Sequence, residues 1–264
     1  MRPTARRLAD LSARLSAAPD LAAAREVGLA LAMDAQALLA AVREASRYVL
    51  GATDMGPVLA LYRPALMETC AKYATAADVW LRLVHGVTRP ANSRMTRGLR
   101  VEPMLREQYR ATVGPCSDAP GLLPHPSLSF AAASPDALVG DDGVVEFKTA
   151  SEFGRASWGE PGSDRIPDAY AVQVQWQLAV TGRKWAHVLV AFGRDFKDEH
   201  GADAFAITEQ CVYQCQRDDE LCAALAEAAE RFWREHVLSE TPPNVEPRES
   251  RRIWKSITKE AAHG

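Results

Sequence analysis

The 264-residue sequence lacks any apolar run long enough to cross a membrane. It also lacks a recognisable secretory signal: an arginine-rich start imitates a transit peptide, but Asp10 and Asp20 interrupt it and no apolar h-region follows. These absences argue against a membrane protein, and we expect a cytoplasmic location. The 47% hydrophobic and 25% charged residues are typical of a globular protein with one sizeable domain and an appendage.

Cysteine pairs at metal-binding spacing are absent too. The five cysteines are odd in number and include no C-x-x-C pair, which favours reduced thiols over a disulfide framework. Their spacing does not match a compact iron–sulfur motif, so no cluster is expected. They are Cys70, Cys116, Cys211, Cys215 and Cys222.

A third absence is an excess of positive charge. The net charge is −3, which counts mildly against a partner as anionic as DNA. A total charge says little, however, when an acidic site is balanced by a local basic channel. The composition therefore leaves nucleic-acid binding open.

The most informative stretch is SPDALVGDDGVVEFK, which ends at Lys148. Asp136 follows a proline in a turn, and Glu146 lies two residues before Lys148 in an apolar segment that predicts a strand. Because side chains alternate between the faces of a strand, Glu146 and Lys148 project to one side and Phe147 to the other. Two acids and an ammonium at one place suit a hard divalent cation such as Mg²⁺, which prefers oxygen ligands.

A turn aspartate and an ion pair on a solvated strand face would also account for this spacing. The flanks favour the cation site, because Val144, Val145 and Phe147 make the strand apolar. Buried charges persist only when they are paired or bound to a metal. We therefore interpret these residues as a functional site.

These segments resemble the PD-(D/E)xK nuclease core, and in particular the lambda-exonuclease-like (YqaJ-type) recombination exonucleases of phages. The resemblance covers about residues 47–240 and rests on five segments in the family's order. They are L-G-A-T-D-M-G from Leu50, R-G-x-x-x-E from Arg97 to Glu102, S-P-D-x-L-V from Ser134, V-E-F-K ending at Lys148, and Y-x-x-Q from Tyr170 to Gln173.

The resemblance implies a Mg²⁺-dependent enzyme, with Mn²⁺ as a substitute, that degrades one strand of linear double-stranded DNA from its 5′ end. The 3′ single-stranded overhangs would serve recombination with a single-strand annealing protein. A toroidal homotrimer and a phage or prophage origin in a bacterial cell are also implied. Two alternatives stay open: another nuclease of this core, either an endonuclease or a Cas4-like exonuclease, and a catalytically inactive protein that binds DNA ends.

The resemblance also assigns roles within the site. Asp136, Glu146 and the backbone carbonyl of Phe147 would hold the metal ion, with Glu102 completing or orienting its shell. Lys148 would orient or deprotonate the attacking water. Tyr170 and Gln173 would lie beside this centre, where the glutamine contacts lysine, water or phosphate.

Glu102 has a second interpretation from the residues alone. It shares a helical stripe with Leu99, Leu105 and Tyr109, and Pro103 predicts that a helix begins or kinks here. An acid in the first turn of a helix stabilises the helix dipole without any catalytic role.

DNA contacts are implied at four further positions. Arg47 and Thr53 match an arginine and a hydroxyl residue that hold the 5′-terminal phosphate, although the family more often has serine at the second place. From the residues alone, a helix N-cap at Thr53 and a solvent-facing Arg47 are equally possible. Ser134 and Arg97 are also candidates, and Arg97 lies in an arginine run that lines either a DNA backbone or a solvated face.

The predicted architecture is α/β: a restriction-endonuclease-like core with a central mixed β-sheet flanked by helices, preceded by a helical extension. A loop is predicted over 113–127, strands over 128–133 and 137–139, and a buried helix over 166–182. The predicted divisions are a helical extension over 1–44, a nuclease domain over 45–245 and a basic tail over 246–264.

Overall fold

A computed structural model describes residues 49–87 and 92–243. Two compact units divide the chain, Met1–Tyr48 and Val49–Gly264, and all the described residues belong to the second. The predicted helical extension, Arg47 and the basic tail lie outside the described residues, and the domain boundaries stay a prediction. Among the helices that the structure describes, none has the length and apolar character needed to span a bilayer.

A central mixed sheet confirms the predicted α/β architecture. Its strands lie in the order β1-β4-β5-β6-β7, and only β5 and β6 pair in parallel. The strands are β1 (Ser117–Asp118), β4 (Ala137–Val139), β5 (Gly143–Ser151), β6 (Trp185–Lys197) and β7 (Asp203–Gln216). A short hairpin turn joins β4 to β5, since Val139 pairs with Gly143.

Residues 113–133 differ from the prediction. The predicted loop contains β1 and a second short strand, β2 (Leu123–Pro124), which pairs with β3 (Ala132–Ala133) in a separate two-stranded sheet. The strand predicted over 128–133 is therefore confined to its last two residues and does not belong to the central sheet. Pairing across a proline-rich segment depends on distant partners, which local patterns do not specify.

Helices cover both faces of the sheet. On one face α4 (Ser93–Thr112) packs over Val145, Phe147 and Leu189, and on the other α5 (Asp168–Thr181) packs over Val144 and Val188. A further helical layer packs against the outer side of α5 in a separate hydrophobic cluster. Its helices are α1 (Met55–Tyr62), α2 (Met67–Cys70), α3 (Ala76–His85) and α6 (Asp219–Phe232).

Helix α5 confirms the helix predicted over 166–182. Pro167 is its N-cap residue, and Gly182 ends it in the left-handed conformation (φ 68°), which glycine adopts without steric cost. Its side chains are buried on nearly every side because the helix lies between the sheet and the helical layer. Its glutamines must therefore find hydrogen-bond partners inside the protein.

Helix α4 corrects two expectations about Glu102. The helix begins at Ser93, capped by the Asn92 side chain, which accepts a hydrogen bond from the Met95 N–H at 3.0 Å, and it continues through Pro103. Glu102 is thus in the middle of a helix, and it does not share a buried stripe with Leu99, which is 72% exposed. The buried stripe instead follows i, i+4 spacing through Arg97, Val101, Leu105 and Tyr109.

Candidate active site

Asp136 lies at the point where β4 begins beside β5. Its N–H donates to the Val145 carbonyl at 3.2 Å, and its Oδ2 accepts the backbone N–H of Phe147 at 2.7 Å. Strand β4 starts opposite Val145, so Phe147 extends past the end of its neighbour. The N–H and C=O of one strand residue point to the same side, and the Phe147 carbonyl therefore also faces this end of β4.

Glu146 and Lys148 share the α5 face of β5, as the alternation predicts. Glu146 is only 3% exposed, and its Oε1 accepts from the Lys148 ammonium and from Gln173 Nε2, the latter at 2.6 Å. The ring of Phe147 lies on the opposite face, where it meets Tyr109 edge to face. A buried carboxylate on a core strand is thereby paired and hydrogen-bonded, as its burial requires.

Gln177 is a contact of Glu146 that the sequence prediction did not include among the site residues. It is fully buried and donates from Nε2 to Glu146 Oε2 at 2.6 Å, one helical turn beyond Gln173. The i, i+4 spacing of two glutamines on an otherwise apolar helix was the available signal, because it places two amides on one face.

Tyr170 lies over Lys148, with the ammonium 5.3 Å from the ring centroid. Burial is the main cause that raises the pKa of Tyr170, helped by a hydrogen bond with Tyr73 and opposed by the charges of Arg94 and Arg97. The phenol therefore stays protonated at neutral pH. Tyr170 thus contacts Lys148, and Lys148 and Gln173 share Glu146 Oε1, while the roles of these residues stay predictions.

Glu102 approaches the site through Arg106. Arg106 donates to Glu102 Oε1 at 2.6 Å and to the backbone carbonyl of Asp136 at 3.0 Å. Glu102 also acts electrostatically on Asp136, whose pKa it helps to raise. Arg106 was missed in the sequence because its i, i+4 pairing with Glu102 also occurs on ordinary solvated helix faces.

The electrostatics of Asp136 favour a bound cation. Burial and the neighbouring charge of Glu146 hold the pKa of Asp136 well above its usual range, against the opposing effects of Lys148 and the Phe147 N–H. Glu102 adds to this repulsion. A divalent cation between these oxygens would offset the excess negative charge, so the donor set fits a metal ion that takes carboxylate and carbonyl oxygens.

The residues present fit a metal site with few protein ligands. Within 49–87 and 92–243, no group of three or more His, Cys, Asp or Glu side chains is arranged to hold a metal ion. Glu102 is bound to Arg106, which leaves Asp136, Glu146 and the Phe147 carbonyl as the nearest set. Mg²⁺ commonly takes one or two carboxylates and keeps several waters, so this smaller set is sufficient.

Two of the residues predicted to contact phosphate, Thr53 and Ser134, lie at the surface. Thr53 is exposed within the 3₁₀ turn Ala52–Asp54, where Gly51 rather than Thr53 is the cap residue. Asp54 Oδ2 accepts the Gly51 N–H at 2.7 Å and an Arg82 N–H at 2.6 Å. Ser134 is exposed and lies two residues before Asp136. The phosphate contacts of Thr53 and Ser134 stay predictions.

Arg97 is buried, at 6% exposed, against the outer end of the sheet. Its guanidinium donates to Thr149 Oγ1 at 3.1 Å and to Asp195 Oδ2 at 2.6 Å, and it stacks on the ring of Phe205. The DNA contact of Arg97 stays a prediction. Arg94, one turn earlier, is exposed and also lies near Tyr170.

Comparison with known proteins identifies the family. The model of the YqaJ-like viral recombinase domain matches residues 44–184. The chain belongs to this family. This confirms the resemblance, and a curated relative, the uncharacterized protein YqaJ of Bacillus subtilis (strain 168), is 30% identical over 126 residues. That match covers 47% of this chain and 35% of the relative, so the chain spans only about a third of the relative's length.

Solved exonuclease structures share the fold of this family member. The alkaline exonuclease LHK-Exo from Laribacter hongkongensis is 25% identical with a TM-score of 0.53, over 83% of this chain and 97% of that one. A phage-related exonuclease from Haemophilus somnus 129PT is 12% identical with a TM-score of 0.52, over 73% and 96% of the respective chains. The second likeness concerns the fold alone.

Proposed function

We propose that this protein is a metal-dependent nuclease that acts on DNA. Its family and its likeness to the alkaline exonuclease LHK-Exo support this class of activity. The observation that carries the proposal is the meeting of three groups at one end of β4: the Asp136 carboxylate, the Phe147 backbone, and the Glu146–Lys148 pair.

More specifically, we propose 5′→3′ hydrolysis of one strand of linear double-stranded DNA, leaving 3′ overhangs for a single-strand annealing protein. A toroidal homotrimer with Mg²⁺, or Mn²⁺ in its place, belongs to the same proposal. The viral recombinase description of the family supports a role in recombination.

Each residue of the site has its own proposed role. Asp136, Glu146 and the Phe147 carbonyl would hold the metal ion, and Glu102 with Arg106 would fix the backbone of Asp136 from the α4 side. When bound, the metal ion lowers the pKa of a bound water and stabilises negative charge on the phosphate. Lys148, whose ammonium lies under the ring of Tyr170, would orient or deprotonate the attacking water. Gln173 fixes Glu146.

The test is digestion of 5′-phosphorylated linear duplex DNA in the presence of Mg²⁺. Asp136→Asn and Lys148→Met should each lower the rate about a thousand-fold, since each removes several kcal/mol of transition-state stabilisation. Matched controls are Asp142→Asn and Lys184→Met, which form an exposed ion pair between the β4–β5 turn and the residue before β6 and should leave the rate unchanged. Digestion by Lys148→Met at the wild-type rate would refute the assignment.

Labelled substrates separate the alternatives. Release of a 5′ label before a 3′ label supports the proposed polarity, whereas cleavage of circular DNA identifies an endonuclease. Iron in the purified protein would point to a Cas4-like exonuclease. Binding of DNA ends with no Mg²⁺-dependent cleavage would identify an inactive end-binding protein.

A further inference from the structure

We propose that Gln177 is a positioning residue that fixes the orientation of the Glu146 carboxylate for the metal ion, an inference that rests on the proposed function. The two oxygens of Glu146 are held separately: Gln173 donates to Oε1 and Gln177 to Oε2, each at 2.6 Å. The terminal torsion of a glutamate is otherwise only weakly restricted. Two amides one turn apart on α5 therefore set the plane of this carboxylate.

The hydrogen bonds of Glu146 leave room for a cation. An ionised carboxylate has about four lone-pair sites, and the described donors to Glu146 are Lys148, Gln173 and Gln177. One site thus stays available to a cation. A cation at that site would share the neutralisation of Glu146 with Lys148, while the two amides kept the carboxylate in place.

The orientation of the Gln177 amide has a cost elsewhere. Its NH₂ must face Glu146, because a carbonyl oxygen turned toward an ionised carboxylate would be repelled. As a result Gln177 Oε1 is buried, and it has no hydrogen-bond partner within the described residues. Unpaired buried acceptors are rare in folded proteins and call for an explanation. Here the explanation is that the amide donates to Glu146 at the expense of a hydrogen bond to its own oxygen.

Gln175 provides a contrast on the same helix. It is buried to a similar degree, but its Nε2 donates to the Gln216 carbonyl at 2.7 Å and its Oε1 accepts the Asp218 N–H at 2.9 Å. Both ends of this amide are satisfied by the backbone between β7 and α6. Gln175 is thus a structural amide, and Gln177 is an amide directed to the site.

This contrast defines the experiment. Mn²⁺ binding to the full-length protein is measured by electron paramagnetic resonance in the absence of DNA, for Gln177→Met and for Gln175→Met as the matched control. Residues that orient a metal ligand typically contribute 10–100-fold to metal affinity. We expect Gln177→Met to weaken Mn²⁺ binding about ten-fold or more, and Gln175→Met to lower the melting temperature without changing the affinity.

Two outcomes would overturn the proposal: wild-type Mn²⁺ affinity in Gln177→Met, or equal loss of affinity in both variants. If Gln177→Met does not fold, Gln177→Asn replaces it, because it keeps the amide but withdraws it by one methylene and should also weaken binding. Asp136→Asn distinguishes failure of the proposed function. If that variant binds Mn²⁺ as tightly as the wild type, the metal site itself is wrong, whatever Gln177 does.

Discussion

The two faces of β5 use one strand for opposite purposes. On the α5 face, Glu146 and Lys148 are buried polar groups held by amides, and on the α4 face Val145 and Phe147 belong to a hydrophobic cluster. From Val145 to Lys148, adjacent residues of this strand therefore serve the core and the site alternately. Hydrophobic packing on the α4 face therefore anchors the strand that carries the site residues on its α5 face.

The largest expected effect comes from comparing a substitution on the α4 face of β5 with one on its α5 face. Phe147→Ala should lower the free energy of unfolding by about 3–5 kcal/mol, because it removes a buried aromatic ring, yet it keeps the backbone carbonyl. Lys148→Met should lower the cleavage rate per folded molecule about a thousand-fold, and it should also cost stability, because it leaves the buried Glu146 carboxylate without its ion-pair partner. Urea unfolding and the cleavage rate per folded molecule check both. Equal losses of activity in the two variants would show that the faces are not separable.

The second prediction compares two arginines of α4. Arg97→Met should cost about 1–2 kcal/mol of stability through its lost charge-assisted hydrogen bonds, since the partner Asp195 is 63% exposed and regains water. Arg94→Met should leave stability within about 0.5 kcal/mol, as is usual for exposed positions.

DNA binding should also distinguish the Arg94 and Arg97 variants. Arg94→Met should weaken binding uniformly across sequences and reduce the slope of log K against log salt by about one, as expected for one lost phosphate contact. Fluorescence anisotropy over a range of salt concentrations provides the measurement. A reduced slope in Arg97→Met as well would support the predicted DNA contact of Arg97.

The smallest expected effect is a loss of stability at low pH that arises from His187 on the α4 face of the sheet. Burial lowers the pKa of His187, and its Nδ1 lies within hydrogen-bonding distance of the Tyr109 hydroxyl, at 2.7 Å. A lowered pKa in the folded state means that the unfolded chain binds the proton more readily. Stability from His187 is therefore complete above the unfolded pKa of about 6.5 and is lost as the pH falls through the lower folded value.

Thermal unfolding between pH 8 and pH 5 checks this prediction. In His187→Phe the acid-dependent loss should be smaller than in the wild type. Burial also lowers the pKa of His125, so some loss should remain. An identical pH dependence in both proteins would contradict the role of His187.

Local pattern was sufficient for much of the fold. The alternation of Glu146, Phe147 and Lys148 predicted their faces correctly because the period of a strand is fixed by the backbone. Pro167 and Gly182 marked the ends of α5 through their own conformational preferences. By contrast, the prediction that a helix begins at Pro103 is wrong, since packing of the α4 stripe on the sheet outweighs one lost backbone hydrogen bond; the alternative, a kink at Pro103, stays a prediction.

The sequence by itself determined the acids, the lysine, their order along the chain and the alternation of β5, because these depend only on residue type and backbone period. Tertiary structure alone decided that the helical line of Gln173 and Gln177 faces Glu146, and that Arg106 joins Glu102 to the backbone of Asp136. Helix α5 is buried on nearly all sides, so its apolar pattern does not predict which side of the helix faces the sheet. Only the rotation of α5 against the sheet, fixed by the packing of both of its sides, selects which line of amides meets the carboxylate.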